Sequence, residues 1–242
     1  QMNYWPTYSG NLAELSKPLI TYIKGLVKPG RLTAKIYAGA ETKNENTPIG
    51  DGEGFMAHTE NTPYGWTTPG EAFSWGWSPA AVPWILQNVY DAYAYSGNLN
   101  QLKNDIYPLL KEESHLYLNY MLHKSSHKAS DGSFRLTTGV AYSPEHGPEG
   151  TDGNTYESSL VWQMLKDTID AANALNVDKD LVGNLDGCST DNWKKNDDGS
   201  FVNANANRSW SCAKSLLKPI EIGKSGQIKE WYNDCLLYTS LS

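Results

Sequence analysis

The chain has 242 residues, a formal net charge of −7 and a sequence pI near 5.2. This length is compatible with one domain that has a sizeable hydrophobic core. Because nucleic-acid binding requires a basic face, the acidic balance argues against a polyanionic partner. No apolar run approaches the roughly 18 residues of a membrane-spanning helix, so no membrane span is predicted.

The aromatic composition favours a cleft that binds sugars. Nine Trp and fifteen Tyr stand against four Phe. Rings with a polar edge suit a wet cleft, where one face stacks on the ligand and the edge forms a hydrogen bond. Sugars are natural ligands of such a cleft, although about half of these rings are expected to lie in the core.

The apolar pattern predicts two helices in the first hundred residues. Asn11 with Glu14 resembles an N-cap pair, and apolar residues follow at helical spacing until the Pro-Gly pair at 29–30 should stop the helix. The Ser-Pro pair at 78–79 should open a second helix, with Gly97 beyond its end.

Two further helical regions follow. Residues 100–123 predict one or two helices with a boundary at Pro108, and Asn154 with Glu157 should open another helix. The polar segment 183–215 is predicted to be a long surface loop. Amphipathic helices joined by long loops do not suit a compact bundle, so we expect an all-α fold in which the loops build a cleft.

The three cysteines match neither a disulfide framework nor a zinc site. Cys188 and Cys212 could pair across the loop between them, and Cys235 stands apart. His58 and Glu60 match only half of the zinc-deaminase signature, because no Pro-Cys-x-x-Cys follows. The acidic cluster at 194–199 lacks the regular spacing of a calcium loop. The sequence therefore predicts no metal and no cofactor.

Glu145 is the strongest candidate for a catalytic group. It lies in Ser143-Pro144-Glu145-His146-Gly147, just ahead of a Gly-rich stretch and a helix. Pro144 fixes its own φ and favours an extended Ser143, so the acid is held in a stiff loop. Catalytic groups often occupy such loops, although a solvated turn glutamate is the alternative reading.

Five motifs occur in order along the chain, namely Gln1-Met2-Asn3-Tyr4-Trp5-Pro6, His58-Thr59-Glu60-Asn61-Thr62-Pro63-Tyr64-Gly65-Trp66, Trp75-Gly76-Trp77-Ser78-Pro79, the segment at 143–147, and Ile222-Gly223-Lys224-Ser225-Gly226-Gln227-Ile228-Lys229-Glu230-Trp231. Together they resemble glycoside hydrolase family 95, the inverting 1,2-α-L-fucosidases and α-L-galactosidases. The resemblance covers residues 1–234 and implies part of an (α/α)6 barrel. Residues 235–242 are interpreted as a non-native tail.

The resemblance also implies roles for individual residues. Glu145 would be the general acid, and the cleft candidates for substrate binding are His58, Glu60, Asn61, Trp75 and Trp77. For His58 and Asn61, hydrogen bonds that merely stabilise a loop are the alternative. In this family an Asn-x-Asn pair positions the water that attacks the sugar, and an Asp late in the barrel helps to polarise that water. These residues are expected outside this chain. The chain alone should therefore be nearly inactive.

The implied partner is a fucosylated oligosaccharide or glycan with terminal α-1,2-linked L-fucose, or the similarly shaped L-galactose. Family analogy implies an extracellular, cell-surface or periplasmic location. Two alternatives stay open: a non-catalytic helical domain that binds carbohydrate, and another (α/α)6 glycosidase or phosphorylase. Glu145 discriminates between an enzyme and a binding domain, because a lectin has no need of a rigidly presented acid.

Overall fold

The chain is mainly helical. A computed structural model describes residues 2–70, 76–139, 141–143 and 152–232. Within these residues the one sheet is an antiparallel hairpin of β1 (His123–Lys128) and β2 (Phe134–Thr137), in which His123 pairs with Thr137. The predicted all-α class misses this hairpin. No helix in the described ranges has the length and apolar character needed to cross a bilayer.

The described α-helices are α1 (Pro6–Ser9), α2 (Lys17–Ala38), α3 (Ala81–Ser96), α4 (Leu99–Gln101), α5 (Tyr107–Leu116), α6 (Thr155–Leu175), α7 (Lys179–Val182) and α8 (Trp210–Leu216). Two π-helical stretches, Leu102–Ile106 and Tyr117–Met121, flank α5, and short 3-10 turns span Met2–Tyr4, Ala13–Ser16 and Thr190–Trp193. Helix α6 packs against α3, α5 and α8. It therefore forms the centre of the hydrophobic core.

The local sequence signals predict α3 and α6 well. Helix α3 begins two residues after the Ser-Pro pair at 78–79 and ends at Gly97, whose φ of 66° suits a residue without a side chain. At the start of α6, the backbone N–H of Glu157 donates to the Asn154 side chain over 3.1 Å. Both signals are carried by neighbouring residues, which is why sequence alone reveals them.

The prediction for the first helix is wrong at both ends. Helix α2 begins at Lys17 and continues through Pro29 to Ala38. Asn11 adopts a positive φ of 57° well before it. Pro29 removes only one backbone donor, and buried apolar residues on both sides of it, such as Val27 and Ala34, hold the helix in the core. Tertiary burial thus outweighs the helix-breaking tendency of proline.

Residues 54–58 cross α2 directly at Gly30. The Met56 N–H donates to the Gly30 carbonyl over 2.9 Å. A side chain at Gly30 would place its Cβ only 3.0 Å from the Met56 carbonyl oxygen. Phe55, Met56 and Ala57 are fully buried here, and the next residue is His58. The position of His58 therefore depends on a close approach that glycine permits.

We predict opposite effects of alanine at two glycines of α2. Gly30→Ala should lower the free energy of unfolding by about 1–3 kcal/mol, because Met56 must shift. Gly25→Ala should raise it by roughly 0.5–1 kcal/mol, because nothing lies within 4 Å of its Cβ position and alanine favours helix. Urea denaturation of both variants measures the two values. Equal effects of the two substitutions would show that the crossing imposes no constraint.

The segment predicted as one long surface loop is partly ordered by the core. Helix α8 lies inside residues 183–215 except for its last residue, and its Trp210 and Cys212 are buried, as is Trp193. Cys188 and Cys212 form a disulfide across 24 residues. This bond ties the polar segment to α8, so the pairing of these cysteines is confirmed while the uninterrupted loop is not.

We expect the double variant Cys188→Ser/Cys212→Ser to be less stable by about 3 kcal/mol, because the crosslink restricts the unfolded chain. Thermal unfolding with and without reductant tests this. Reductant should lower the melting temperature of the parent and leave that of the double variant unchanged. A parent insensitive to reductant under unfolding conditions would contradict the expectation.

Candidate active site

His58 is a fully buried, neutral residue in an aromatic cluster. Its Nδ1 accepts a hydrogen bond of 2.9 Å from the Ser78 N–H. The Trp77 ring centroid lies 4.8 Å away, and Tyr37 approaches edge-on at 6.2 Å. Burial lowers the pKa of the imidazole to about 4. Because Nδ1 is an acceptor, the ring proton resides on Nε2, which has no hydrogen-bond partner among the described residues.

Asn61 lies next to His58 but uses both ends of its amide within the protein. Its Nδ2 donates to the His58 carbonyl, and its Oδ1 accepts from the Tyr22 hydroxyl. This arrangement fits the alternative reading of Asn61 as a loop-stabilising residue. Glu60 is exposed, with its carboxylate beside Gly70. The structure thus brings His58, Asn61 and Trp77 together and leaves Glu60 at the surface.

An open cleft of about 580 Å³ lies beside Asn61. Aromatic and aliphatic side chains dominate its lining, among them Tyr4, Tyr22, Trp84 and Ile85. Such a lining with a few polar groups is typical of small-molecule sites. Tyr4, Tyr22 and Trp84 are not among the site residues that the sequence predicts, because only the fold brings residues so far apart in sequence to one cleft.

Glu145 and Trp75 lie outside the described residues, but both ends of the segment that contains Glu145 are fixed. At one end the Ser143 hydroxyl donates to the Glu230 carboxylate over 3.4 Å. At the other end the Thr155 N–H donates to the Glu230 carbonyl over 2.7 Å. Ser143 and Thr155, which stand on either side of residues 144–151, are therefore bonded to the same residue.

The second of these ends is held especially firmly. Gly153 has a φ of 75°, and a Cβ there would lie 2.1 Å from the Tyr232 ring. Asp152 accepts from the Ser125 hydroxyl over 3.3 Å. The Thr155 hydroxyl donates to the Lys229 carbonyl over 2.6 Å. Backbone conformation, packing and hydrogen bonds thus all fix the chain as it enters α6.

Tyr156 joins this end of the segment to the cleft. Its hydroxyl lies 3.5 Å from the Ser78 hydroxyl, and its ring contacts Trp84 edge-on at a centroid distance of 5.8 Å. Ser78 is the residue whose N–H donates to His58, and Trp84 lines the cleft. The start of α6 therefore lies beside the aromatic cluster.

The glycosyl hydrolase family 95 catalytic domain matches this chain over residues 1–239. The chain belongs to this family. It is 29% identical over 238 residues to "Probable alpha-fucosidase A" of Aspergillus niger and 30% identical over 245 residues to "Alpha-L-fucosidase 2" of Arabidopsis thaliana. Each alignment covers 97% of this chain but only 25% and 24% of the two relatives. The chain thus spans about a quarter of the length of these curated relatives.

The family 95 chain also contains a buried acid, Glu157, which the predicted elements include only as the capping partner of Asn154. Glu157 is 1% exposed, and its carboxylate oxygens have no hydrogen-bond partner among the described residues. The Thr138 hydroxyl lowers the pKa of Glu157, but its effect is smaller than that of burial. Burial raises the pKa of Glu157 to about 8, and Asp152 contributes in the same direction. The acid is therefore largely protonated at neutral pH.

The position of Glu157 in the helix is a sequence signal that reveals its burial. Leu160, Val161 and Met164 follow at spacings of three, four and seven, and all are buried. A carboxyl group on such a stripe must lie in the core. Tyr117, on the extension of α5, interacts with both Glu157 and Glu113, and burial raises the pKa of Tyr117 and of Glu113. Together they form a cluster of buried neutral acids beneath the start of α6.

We predict that Glu157→Gln stabilises the protein increasingly as the pH rises from 5 to 8. The folded state keeps a proton that the unfolded chain releases above the ordinary pKa of 4.5, so ionisation opposes folding in this window. The stability difference between variant and parent should grow by roughly 3 kcal/mol across it. Urea denaturation at several pH values measures this difference.

Asp131→Asn is the matched control. Hydrogen bonds from Ser133 lower the pKa of Asp131 to about 2, so the folded and ordinary values both lie below pH 5. The contribution of Asp131 is lost only as the pH falls toward 2, and its variant should show a flat difference between pH 5 and 8. A flat difference for Glu157→Gln as well would contradict a protonated buried Glu157.

Proposed function

We propose that the protein is an α-L-fucosidase that removes terminal α-1,2-linked L-fucose, or the similarly shaped L-galactose, from glycans by an inverting mechanism. Family membership and the names of both relatives support this activity. In this proposal Glu145 is the general acid and the helices are part of an (α/α)6 barrel.

The observation that carries the proposal is that Ser143 and Thr155, on either side of the segment that contains Glu145, are both bonded to Glu230. Tyr156, which follows Thr155, contacts the cleft wall. Firm anchors of this kind suit a group that must be presented to a substrate, because catalysis depends on orientation. They also favour an enzyme over the alternative of a sugar-binding domain.

Inverting hydrolysis requires two groups on opposite faces of the sugar. An acid protonates the leaving oxygen while a base activates water, with about 6.5–9.5 Å between the two. Glu145 would supply the proton. We assign water activation to the Asn-x-Asn pair and the late Asp that the family resemblance implies outside these 242 residues.

We assign substrate positioning to the cluster around His58. The Nε2–H of His58 is a buried donor without a partner among the described residues, and a buried donor of this kind is costly to leave unsatisfied. Trp77 and Trp75 would pack against the apolar face of the ring, and Glu60 at the rim would accept from hydroxyl groups. Asn61 would act through the conformation of its loop, since its amide is already bonded.

Glu145→Gln in the full-length protein should abolish hydrolysis while leaving substrate binding nearly unchanged. Glutamine keeps the shape of the side chain but cannot transfer a proton, so kcat should fall by a factor of about 10² to 10⁴. Hydrolysis of 2′-fucosyllactose, followed by NMR, measures the rate, and calorimetry with the intact trisaccharide measures affinity.

Glu14→Gln, an exposed glutamate distant in sequence from the cluster, is the control and should retain full activity. If Glu145→Gln keeps most of its rate, Glu145 is not the acid. If binding occurs and the parent shows no hydrolysis of any α-fucoside or α-L-galactoside, the sugar-binding alternative replaces the enzyme. In the active parent, fresh product of β configuration would establish inversion.

A further inference from the structure

A second pocket, of about 660 Å³, opens between α6 and the end of α8. Three of its lining residues are cations, Arg135, Lys214 and Lys218, and none of its lining residues carries a carboxylate. Such a concentration of positive charge is unusual in a chain with a net charge of −7. The pocket is therefore electrostatically suited to an anion.

The three cations of the pocket differ in how many contacts they already make within the protein. Lys214 forms no ion pair with any described residue, and its Nζ lies 5.0 Å from the centroid of the Trp162 ring. Arg135 pairs with the exposed Asp131 through one guanidinium nitrogen, and its Nε has no partner among the described residues. Lys218 is buried, with its Nζ 2.9 Å from the Thr155 hydroxyl. Lys214 is thus the cation most available to a ligand.

The pocket also has a stacking surface and an unsatisfied polar group. Trp162 is 42% exposed, which leaves one part of its ring free of protein contacts. Ser158 is only 2% exposed, and its hydroxyl has no hydrogen-bond partner within the described ranges. A buried hydroxyl without a partner is costly unless a ligand or water satisfies it. An exposed aromatic ring, an unpaired cation and a buried hydroxyl together match the groups of an acidic sugar.

We propose that this pocket binds a sugar residue that carries a carboxylate. Its ring stacks on Trp162, its carboxylate contacts Lys214 and Arg135, and one of its hydroxyl groups bonds to Ser158. A carboxylate accepts charge-assisted hydrogen bonds from cations, and the ring that carries it can also pack on the aromatic face, whereas a free inorganic anion would contact the cations alone. The choice of a sugar as ligand class rests on the proposed function, but the binding itself requires no catalytic residue.

The pocket adjoins the cleft through α3. Trp84 lines the cleft and Gln87 lines the pocket, and residues three apart on a helix are neighbours on its surface. Tyr156, which contacts Trp84, is followed on α6 at spacings of three and four by Ser159 and Leu160, which line the pocket. A glycan held in the cleft therefore has an acidic-sugar site beside it, which would favour substrates with uronic or sialic acid units.

Calorimetric titration of the full-length protein with methyl β-D-glucuronide and with methyl α-N-acetylneuraminide tests the proposal. We expect one of them to bind, and Lys214→Gln to weaken that binding about tenfold. Lys166→Gln is the matched control, since Lys166 lies on α6 in an ion pair with Asp170 and outside the pocket. It removes the same charge and should leave binding unchanged.

Two further comparisons separate the contribution of charge from that of stacking. The methyl ester of the sugar acid should lose affinity, because it keeps the ring and removes the charge. Trp162→Ala should also weaken binding, which tests the stacking surface independently of Lys214. Binding of neither acid, equal binding of the ester, or equal effects of the Lys214 and Lys166 variants would overturn the proposal. Inorganic sulfate binding as tightly as the sugar acid would show a simple anion site and overturn it too.

This test is independent of hydrolysis. Neither probe is a fucoside, so the affinity of Glu145→Gln for each probe should equal that of the parent. A protein that binds the sugar acid without hydrolysing fucosides would refute the proposed function and keep the second site. A protein that hydrolyses fucosides without binding the sugar acid would refute the second site and keep the proposed function.

Discussion

The buried ion pair between Arg31 and Glu112 fixes the part of the fold on which the candidate site depends. Two parallel hydrogen bonds join them, from Nε to Oε1 over 2.7 Å and from Nη2 to Oε2 over 2.8 Å. Arg31 also donates to the Thr47 carbonyl, and the Gly50 N–H donates to Glu112. The pair therefore joins α2, α5 and the loop before residues 54–58. Loss of either partner would leave the other charge buried, at a cost of about 3–5 kcal/mol.

A short series of contacts connects this ion pair to the aromatic cluster around His58. Gly30, the neighbour of Arg31, lets residues 54–58 cross α2, and the crossing delivers His58 to Ser78. Ser78 precedes α3 and meets Tyr156 at the start of α6. Thr155, at this same start, is bonded to Lys229 and Glu230. The cleft, the aromatic cluster and the start of α6 are thus joined by one set of contacts, and such a connected framework suits the orientation of a bound ligand.

Two buried titratable groups near the aromatic cluster and the start of α6, His58 and Glu157, are largely uncharged at neutral pH. His58 is neutral because burial lowers its pKa, and Glu157 is largely protonated because burial raises its pKa. A buried group that cannot find an opposite charge avoids ionisation in this way. The low polarity that neutralises these groups would also raise the pKa of a general acid brought into the cleft, as proton donation to a glycosidic oxygen near neutral pH requires. Glu157 lowers stability at high pH, so its place in the core is not explained by stability alone.

The sequence by itself determined the helical class, the bounds of α3 to within two residues, the start of α6, and membership of family 95, because periodicity, caps and ordered motifs are local or additive signals. Only the tertiary structure decided that α2 continues past Pro29, that α8 and a disulfide order the polar segment, and that Glu157 is neutral in the core. Asn61 shows the same limit, since its partner Tyr22 lies 39 residues away. Contacts between residues distant in sequence depend on packing that no local pattern encodes, and the catalytic role of Glu145 stays a prediction from the motif.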